Sequence, residues 1–212
     1  MRRGRAKAED SSTARRILSA AEHQFAAQGL AGARTEEIAL AAHANKAMLF
    51  YYFGNKSRLH RAVLENLLRQ FRAGVLAPPK KSLSPRERFF GYVSGYFDFL
   101  ATHPNYPRLV QRAALEGTGS FDWMVREYFR PLHQRLAGAL EEGIAAREFR
   151  GVDPDQAALI TLGMATSYFA AAPIMSRVVG RNVLTSRAIA ARKRAILDFL
   201  DHGLVRKGAA HR

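Results

Sequence analysis

Residues 35–56 run Thr35-Glu36-Glu37-Ile38-Ala39-Leu40-Ala41-Ala42-His43-Ala44-Asn45-Lys46-Ala47-Met48-Leu49-Phe50-Tyr51-Tyr52-Phe53-Gly54-Asn55-Lys56. Thr35 reads as an N-cap, and Glu36 and Glu37 put negative charge where a helix dipole favours it. Ile38, Ala39 and Ala42 give that helix an apolar face. His43-Ala44 interrupts the pattern, and Asn45 is placed to cap a second short helix carrying Lys46, Met48, Leu49 and Phe53. A capped helix, a tight turn and a second short helix form the helix-turn-helix layout, in which the second helix enters the major groove. Lys46, Met48, Tyr51 and Tyr52 are not what a merely solvated face would select, whereas short, basic and aromatic suits a groove.

Upstream, Ser11 to Gln28 predicts a helix: Ser11, Ser12 and Thr13 offer caps, Ile17, Ala21 and Phe25 repeat every fourth residue, and Gly29 can close the end. Leu30 to Arg34 is a loop. Downstream, Gly54-Asn55 makes a turn, and a long helix begins near Lys56 with Leu59, Val63, Leu67 and Phe71 as its stripe. Ala77-Pro78-Pro79-Lys80-Lys81-Ser82 cannot continue it and is the best boundary in the chain. The organisation expected is a basic flexible arm over 1–10, a helix-turn-helix domain over 11–55, a connecting helix over 56–76 and a C-terminal domain over 77–212. Ile17, Phe25, Ile38, Leu49, Phe53, Leu59 and Val63 form the core of the first domain.

The C-terminal part also reads as helix throughout. Pro85 to Thr102 is crowded with aromatics, a shorter segment follows Pro107, and Phe121 to Glu148 has Pro131 as a kink or joint. Asp153-Pro154-Asp155 supplies cap, N1 proline and first-turn acid in order. A last helix spans about Thr185 to Val205, with Ile189, Ile196, Leu200 and Leu204 on one side. No period-2 strand pattern appears, so the fold class is all-α: a three-helix DNA-binding head and a C-terminal helical domain. Ala157 to Met175 is uncharged, but its Thr161, Thr166, Ser167, Tyr168 and Pro173 favour a buried helix or subunit interface over a membrane span. Asp155 to Met175 and the Ile189 to Leu204 stripe are together expected to pack against a second copy as a four-helix interface.

The formal net charge is +15, and up to Arg88 there are 17 Lys and Arg against 7 Asp and Glu, so +10 of the excess lies in the first two-fifths of the chain. That concentration points to a polyanion partner. Cysteine is absent, which excludes a disulfide framework and a thiolate nucleophile. Met1-Arg2-Arg3-Gly4-Arg5 runs into Glu9 and Asp10 where the apolar part of a signal peptide should stand, so a cytoplasmic location is expected. The seven histidines are scattered without metal-ligand spacing, and no phosphate loop or nucleophile elbow is present. Neither a metal nor a cofactor is expected, and an enzyme finds little support.

Thr35 to Ala39 followed by Ala44 to Lys56, with the upstream spacing of Ile17-Leu18, Phe25 and Gly29, resembles the signature of the tetracycline-repressor (TetR) family over about the first quarter of the chain. The resemblance implies that Lys46, Ala47 and Met48 lie at the base-facing end of the recognition helix, Lys46 donating to guanine and the other two touching a thymine methyl. It implies that Thr35, Tyr51, Tyr52 and Lys56 hold phosphates. Arg3 and Arg5, in the basic arm, are candidates to reach a minor groove. His43 stands where the family usually has glycine, at a turn that often needs positive φ, and Phe50 stands where tyrosine is common. The implied function is a ligand-released repressor, a homodimer on double-stranded DNA with a palindromic operator. A non-specific nucleoid-type DNA-binding protein and a small helical enzyme stay open as alternatives at this point.

The family resemblance also implies a small molecule bound between the C-terminal helices. Tyr96, Phe97, Leu100, Trp123, Tyr128, Met164 and Tyr168 are candidate lining, with Arg112 and His133 as orienting polar groups; plain core is the competing reading. Such a lining suits an apolar or aromatic effector, with or without one acidic group.

Overall fold

The computed structural model describes residues 2–77, 82–116 and 119–206, the side chains of 2–11, 119 and 120 excepted. Arg3 and Arg5 as DNA contacts, and most of the expected boundary at 77–82, therefore lie outside the described residues. The chain divides into two compact units, residues 1–69 with 108–123, and residues 70–107 with 124–212.

In the first unit, α1 (Arg2–Gly32) begins nine residues before the expected Ser11. Residues 5–10 contain no proline or glycine and include the strong helix formers Ala6, Lys7, Ala8 and Glu9, so their propensity does not stop the helix ahead of Ser11. Ser11, Ser12 and Thr13 are then interior positions rather than caps. Gly29 breaks the helical path with φ 72° and ψ 179°, a conformation open to glycine, so the expected ending is a kink at that residue. Next come α2 (Thr35–Ala41), α3 (Lys46–Phe53) and α4 (Lys56–Gly74). Ile17, Phe25, Ile38, Leu49, Leu59 and Val63 are buried as expected, whereas Phe53 is half-buried.

In the second unit, α5 (Pro85–Thr102) starts at a reciprocal cap: the Ser84 hydroxyl accepts from the Glu87 N–H, and the Glu87 carboxylate accepts from the Ser84 N–H at 2.8 Å. α6 (Tyr106–Glu116) and α7 (Gly119–Met124) belong for the most part to the first unit; after them, in the second, residues Val125–Phe129 form one π-helical turn before α8 (Arg130–Ala145). The Arg130 N–H reaches Val125 O, five residues back. Pro131 is the reason at hand, since it has no N–H to donate and its ring crowds the carbonyl four residues earlier. The expected joint is thus a widened turn.

Asp153 caps α9 (Pro154–Ala170), accepting from the Gln156 N–H at 3.1 Å. The uncharged segment does not run straight to Met175: it bends by 75° into α10 (Ala172–Val178). Among the described residues no single helix is long and apolar enough to cross a membrane. α11 (Ser186–Leu204) is capped by Thr185. Its Ile196, Leu200 and Leu204 are buried within their own unit, which corrects the expectation that this stripe faces a partner. They pack with α5 and α9, while the large apolar side chain α11 exposes is Phe199.

Candidate nucleic-acid interface

α3 owes its position to a cap and a turn. Asn45 Oδ1 accepts from the Met48 N–H at 2.8 Å, which stabilises the helix start by about 1 kcal/mol. Gly54, with φ 76°, ends the helix, and Asn55 Oδ1 accepts from the Arg58 N–H to start α4. The turn between α2 and α3 puts His43 at φ 49°, the left-handed conformation foreseen there. The Ala44 N–H closes that turn on Ala39 O at 2.9 Å. Leu49 is the fully buried residue that pins α3 to the core.

Pinned in this way, α3 turns Lys46, Ala47, Phe50 and Tyr51 to solvent, Tyr51 being 79% exposed. That large aromatic is therefore not packed against α1. Tyr52 is half-buried, its ring edge-on to Tyr51 at 5.2 Å, and Met48 is half-buried as well. Lys46 lies 5.8 Å from the centroid of Phe50 and forms an ion pair with Glu36 of α2. The ammonium holds the Glu36 carboxyl down to about 2, with help from local backbone and the Thr35 hydroxyl, so the acid is ionised at any ordinary pH.

Two phosphate candidates have partners within the fold. Thr35 is the first residue inside α2 rather than its cap: the cap position is Arg34, and the Thr35 hydroxyl donates to Glu36 Oε2 at 3.2 Å. Lys56 donates to Ala31 O at 3.0 Å and Ala33 O at 3.2 Å, gathering carbonyls from the last turn of α1 and the loop before α2. Its ammonium serves the loop that presents α2, a use that spacing alone did not reveal.

The effector candidates separate. Arg112 and Trp123 belong to the first unit, the others to the second. Arg112 donates to Ala26 O at 3.0 Å and to Ala27 O, closing the end of α1, and the Trp123 ring carries the Arg61 guanidinium 3.8 Å from its centroid. In the second unit Tyr96, Phe97, Leu100 and Tyr128 are buried, and His133, Met164 and Tyr168 are half-buried. Tyr96 OH shares a hydrogen bond with Thr166 Oγ1 at 2.7 Å, Tyr168 OH donates to Val183 O, and His133 Nε2 lies 3.4 Å from Asp155 Oδ1.

Tyr106, which the sequence reading passed over, is buried among Phe71, Phe99, Tyr96 and Tyr128, with ring centroids 5.1 Å from Phe99 and 6.0 Å from Tyr128. Among the described residues its hydroxyl finds no hydrogen-bond partner, and burial pushes its ionisation well above the usual phenol range. A buried phenol without an acceptor costs about 1–3 kcal/mol. The only sequence signal for it was an aromatic beside Pro107.

Comparison with known proteins agrees with this geometry. Residues 17–63 match the model for bacterial regulatory proteins of the tetR family, and residues 85–200 match the tetracyclin repressor-like C-terminal domain. The chain is 36% identical over 98 residues to the HTH-type transcriptional repressor SCO4008 of Streptomyces coelicolor, covering 46% of this chain and 47% of that protein. It is 27% identical over 139 residues to the HTH-type transcriptional repressor NicS of Pseudomonas putida, covering 66% and 65%. The chain thus spans between about half and two-thirds of the length of these curated relatives. In fold it is similar to the ketosteroid transcriptional regulator KstR2 of Mycobacterium tuberculosis, with a TM-score of 0.75 at 19% identity over 91% of this chain and 96% of that one.

Proposed function

Because the chain belongs to the tetR family of bacterial regulatory proteins, we propose that it is a sequence-specific DNA-binding transcriptional regulator, a ligand-released repressor acting as a homodimer. The observation that carries this reading is the Asn45-capped α3, which presents Lys46, Ala47 and Tyr51 outward on a buried Leu49 anchor. A short helix held in this way can enter a major groove, with Lys46 donating to guanine acceptors and Tyr51 and Tyr52 holding phosphates. Lys56 contributes to that interface chiefly by shaping the loop before α2. The basic excess of the first two-fifths of the chain supplies the salt-dependent part of the affinity.

The homodimer reading draws on an apolar surface in the second unit. Leu159 and Ile160 of α9, Ile174, Met175 and Val178 of α10, and Phe199 of α11 are all exposed. So many large apolar residues on neighbouring elements favour an interface between copies over a solvated face. A two-fold dimer of this kind asks for a palindromic operator, and such a regulator works in the cytoplasm, where the DNA is.

For the effector, the aromatic nest around Tyr106 supports an apolar or aromatic molecule carrying an acceptor for the phenol hydroxyl. The effector must favour the conformation that does not fit the operator, since equal affinity for both would shift nothing.

Selection of preferred sites from random DNA by the full chain tests the regulator reading. Enrichment of a two-fold symmetric site is expected. A steep salt slope with no enriched sequence would instead establish the non-specific nucleoid-type alternative.

A further inference from the structure

One acidic side chain stands in the middle of the candidate DNA face. Glu36 is in the first turn of α2, exposed, and joined to both neighbours expected to touch DNA. Its Oε1 takes the Lys46 ammonium and its Oε2 accepts from the Thr35 hydroxyl at 3.2 Å. Wherever Lys46 goes on DNA, then, a carboxylate starts beside it. An exposed ion pair of this kind contributes little to stability, so fold maintenance is a poor account of an anion on a face built for a polyanion. Against bare phosphates Glu36 is repulsive. It becomes favourable only where a donor replaces the ammonium, and in the major groove the amino group of cytosine is such a donor.

We propose that Glu36 and Lys46 act together as a donor–acceptor pair that reads a G·C base pair, Lys46 donating to guanine O6 or N7 and Glu36 accepting from cytosine N4. This rests on the reading of the chain as a sequence-specific DNA binder and names a residue that sets its specificity. Two consequences follow from the chemistry. At the right base pair both members of the ion pair keep a partner, so separating them costs little. At non-cognate DNA Lys46 still finds a phosphate, but Glu36 is left among anions, and the complex is penalised. Specificity here comes as much from the rejected sequences as from the accepted one. The Phe50 ring, 5.8 Å below the ammonium, keeps Lys46 near Glu36 before DNA arrives.

The test is site selection from random duplexes with the full chain, run in parallel on the wild type and Glu36→Gln, followed by titration of the selected duplex. The wild type is expected to require a G·C pair in each half-site. Glu36→Gln should lower discrimination at that pair about tenfold and bind unselected DNA more tightly. A companion titration keeps the protein unchanged and places 2-pyrimidinone, which lacks the exocyclic amine, where the selected cytosine stood. The wild type should lose affinity on that duplex, whether or not the variant folds well. An unchanged preference in Glu36→Gln, or wild-type indifference to the missing amine, would overturn the proposal and leave Glu36 as a non-selective charge. If the wild type selected no site at all, the regulator reading would fall first and carry this one with it.

Discussion

The first unit is held at its helix ends, whereas the second is held along its helix flanks. In the first, Asn45 caps α3, Asn55 caps α4, and Arg112 and Glu116 take up backbone groups at the end of α1, Glu116 Oε1 accepting from the Leu30 N–H at 3.1 Å. Helices as short as seven and eight residues, α2 and α3, have little flank to bury beyond Ile38, Ala39 and Leu49, so the Asn45 cap and the backbone turn at His43 add to what fixes their orientation. In the second, Phe89, Phe97, Leu132, Leu136, Leu140 and Phe169 pack along α5, α8 and α9. Aiming a few side chains at a groove needs the first kind of construction, and presenting a broad apolar face to another copy needs the second.

The largest effect expected from this contrast is at the apolar surface of the second unit. Val178→Asp on α10, at a position 74% exposed, should leave the circular dichroism of the chain unchanged while weakening self-association about 100-fold or more, because the interface would then bury an unpaired charge. Sedimentation across a concentration series reads this directly, and a variant that stayed dimeric would move the interface elsewhere.

Packing inside that unit comes next. A Cβ at Gly143 would lie 2.4 Å from Phe149 Cδ2, so Gly143→Ala should cost about 1–3 kcal/mol in denaturant unfolding. In the first unit Asn45→Ala removes a cap instead of a contact surface and should cost about 1 kcal/mol. Following the single Trp123, which belongs to the first unit, should detect the Asn45 change and not the Gly143 change. Equal response to both would erase the distinction drawn between the units.

The smallest effect is in pH dependence, where the units should fail in opposite directions. His60, buried against Phe25 in the first unit, has its ionisation lowered from 6.5 by burial, with Glu116 opposing. The unfolded chain therefore takes up a proton more readily than the folded one, and the first unit should lose stability as pH falls below 6.5. Tyr96 in the second unit is raised from 10.0 to about 12, again by burial. Its contribution is intact below pH 10 and is lost as pH rises from 10 towards 12. Thermal melts of the wild type against His60→Phe and Tyr96→Phe should show each loss flattened on its own side alone.

The contrast also explains what was legible in the sequence. α3 could be read in advance because Asn45, Leu49 and Gly54 announce cap, anchor and end within ten residues, and the positive φ of His43 followed from its standing where the family resemblance puts glycine. The helix start at Pro154 was equally plain, since its cap Asp153 and the proline are adjacent in the chain. The bonds Arg112 makes could not be read in advance because its partners, Ala26 and Ala27, are 86 and 85 positions away. The partners of Lys56 and Glu36 were hidden for the same reason: side chains with long reach choose partners that only the fold brings near. The α11 stripe shows another limit, for periodicity reveals that Ile196, Leu200 and Leu204 are buried but not whether the covering surface belongs to the same copy.

Hydroxyl-radical footprinting of the full chain on a duplex selected from random DNA tests the central claim most directly. The account predicts two protected half-sites related by two-fold symmetry, their centres about 34–36 Å apart or a multiple of that spacing. Uniform protection along the duplex, or one unsymmetrical site bound by a single copy, would contradict it.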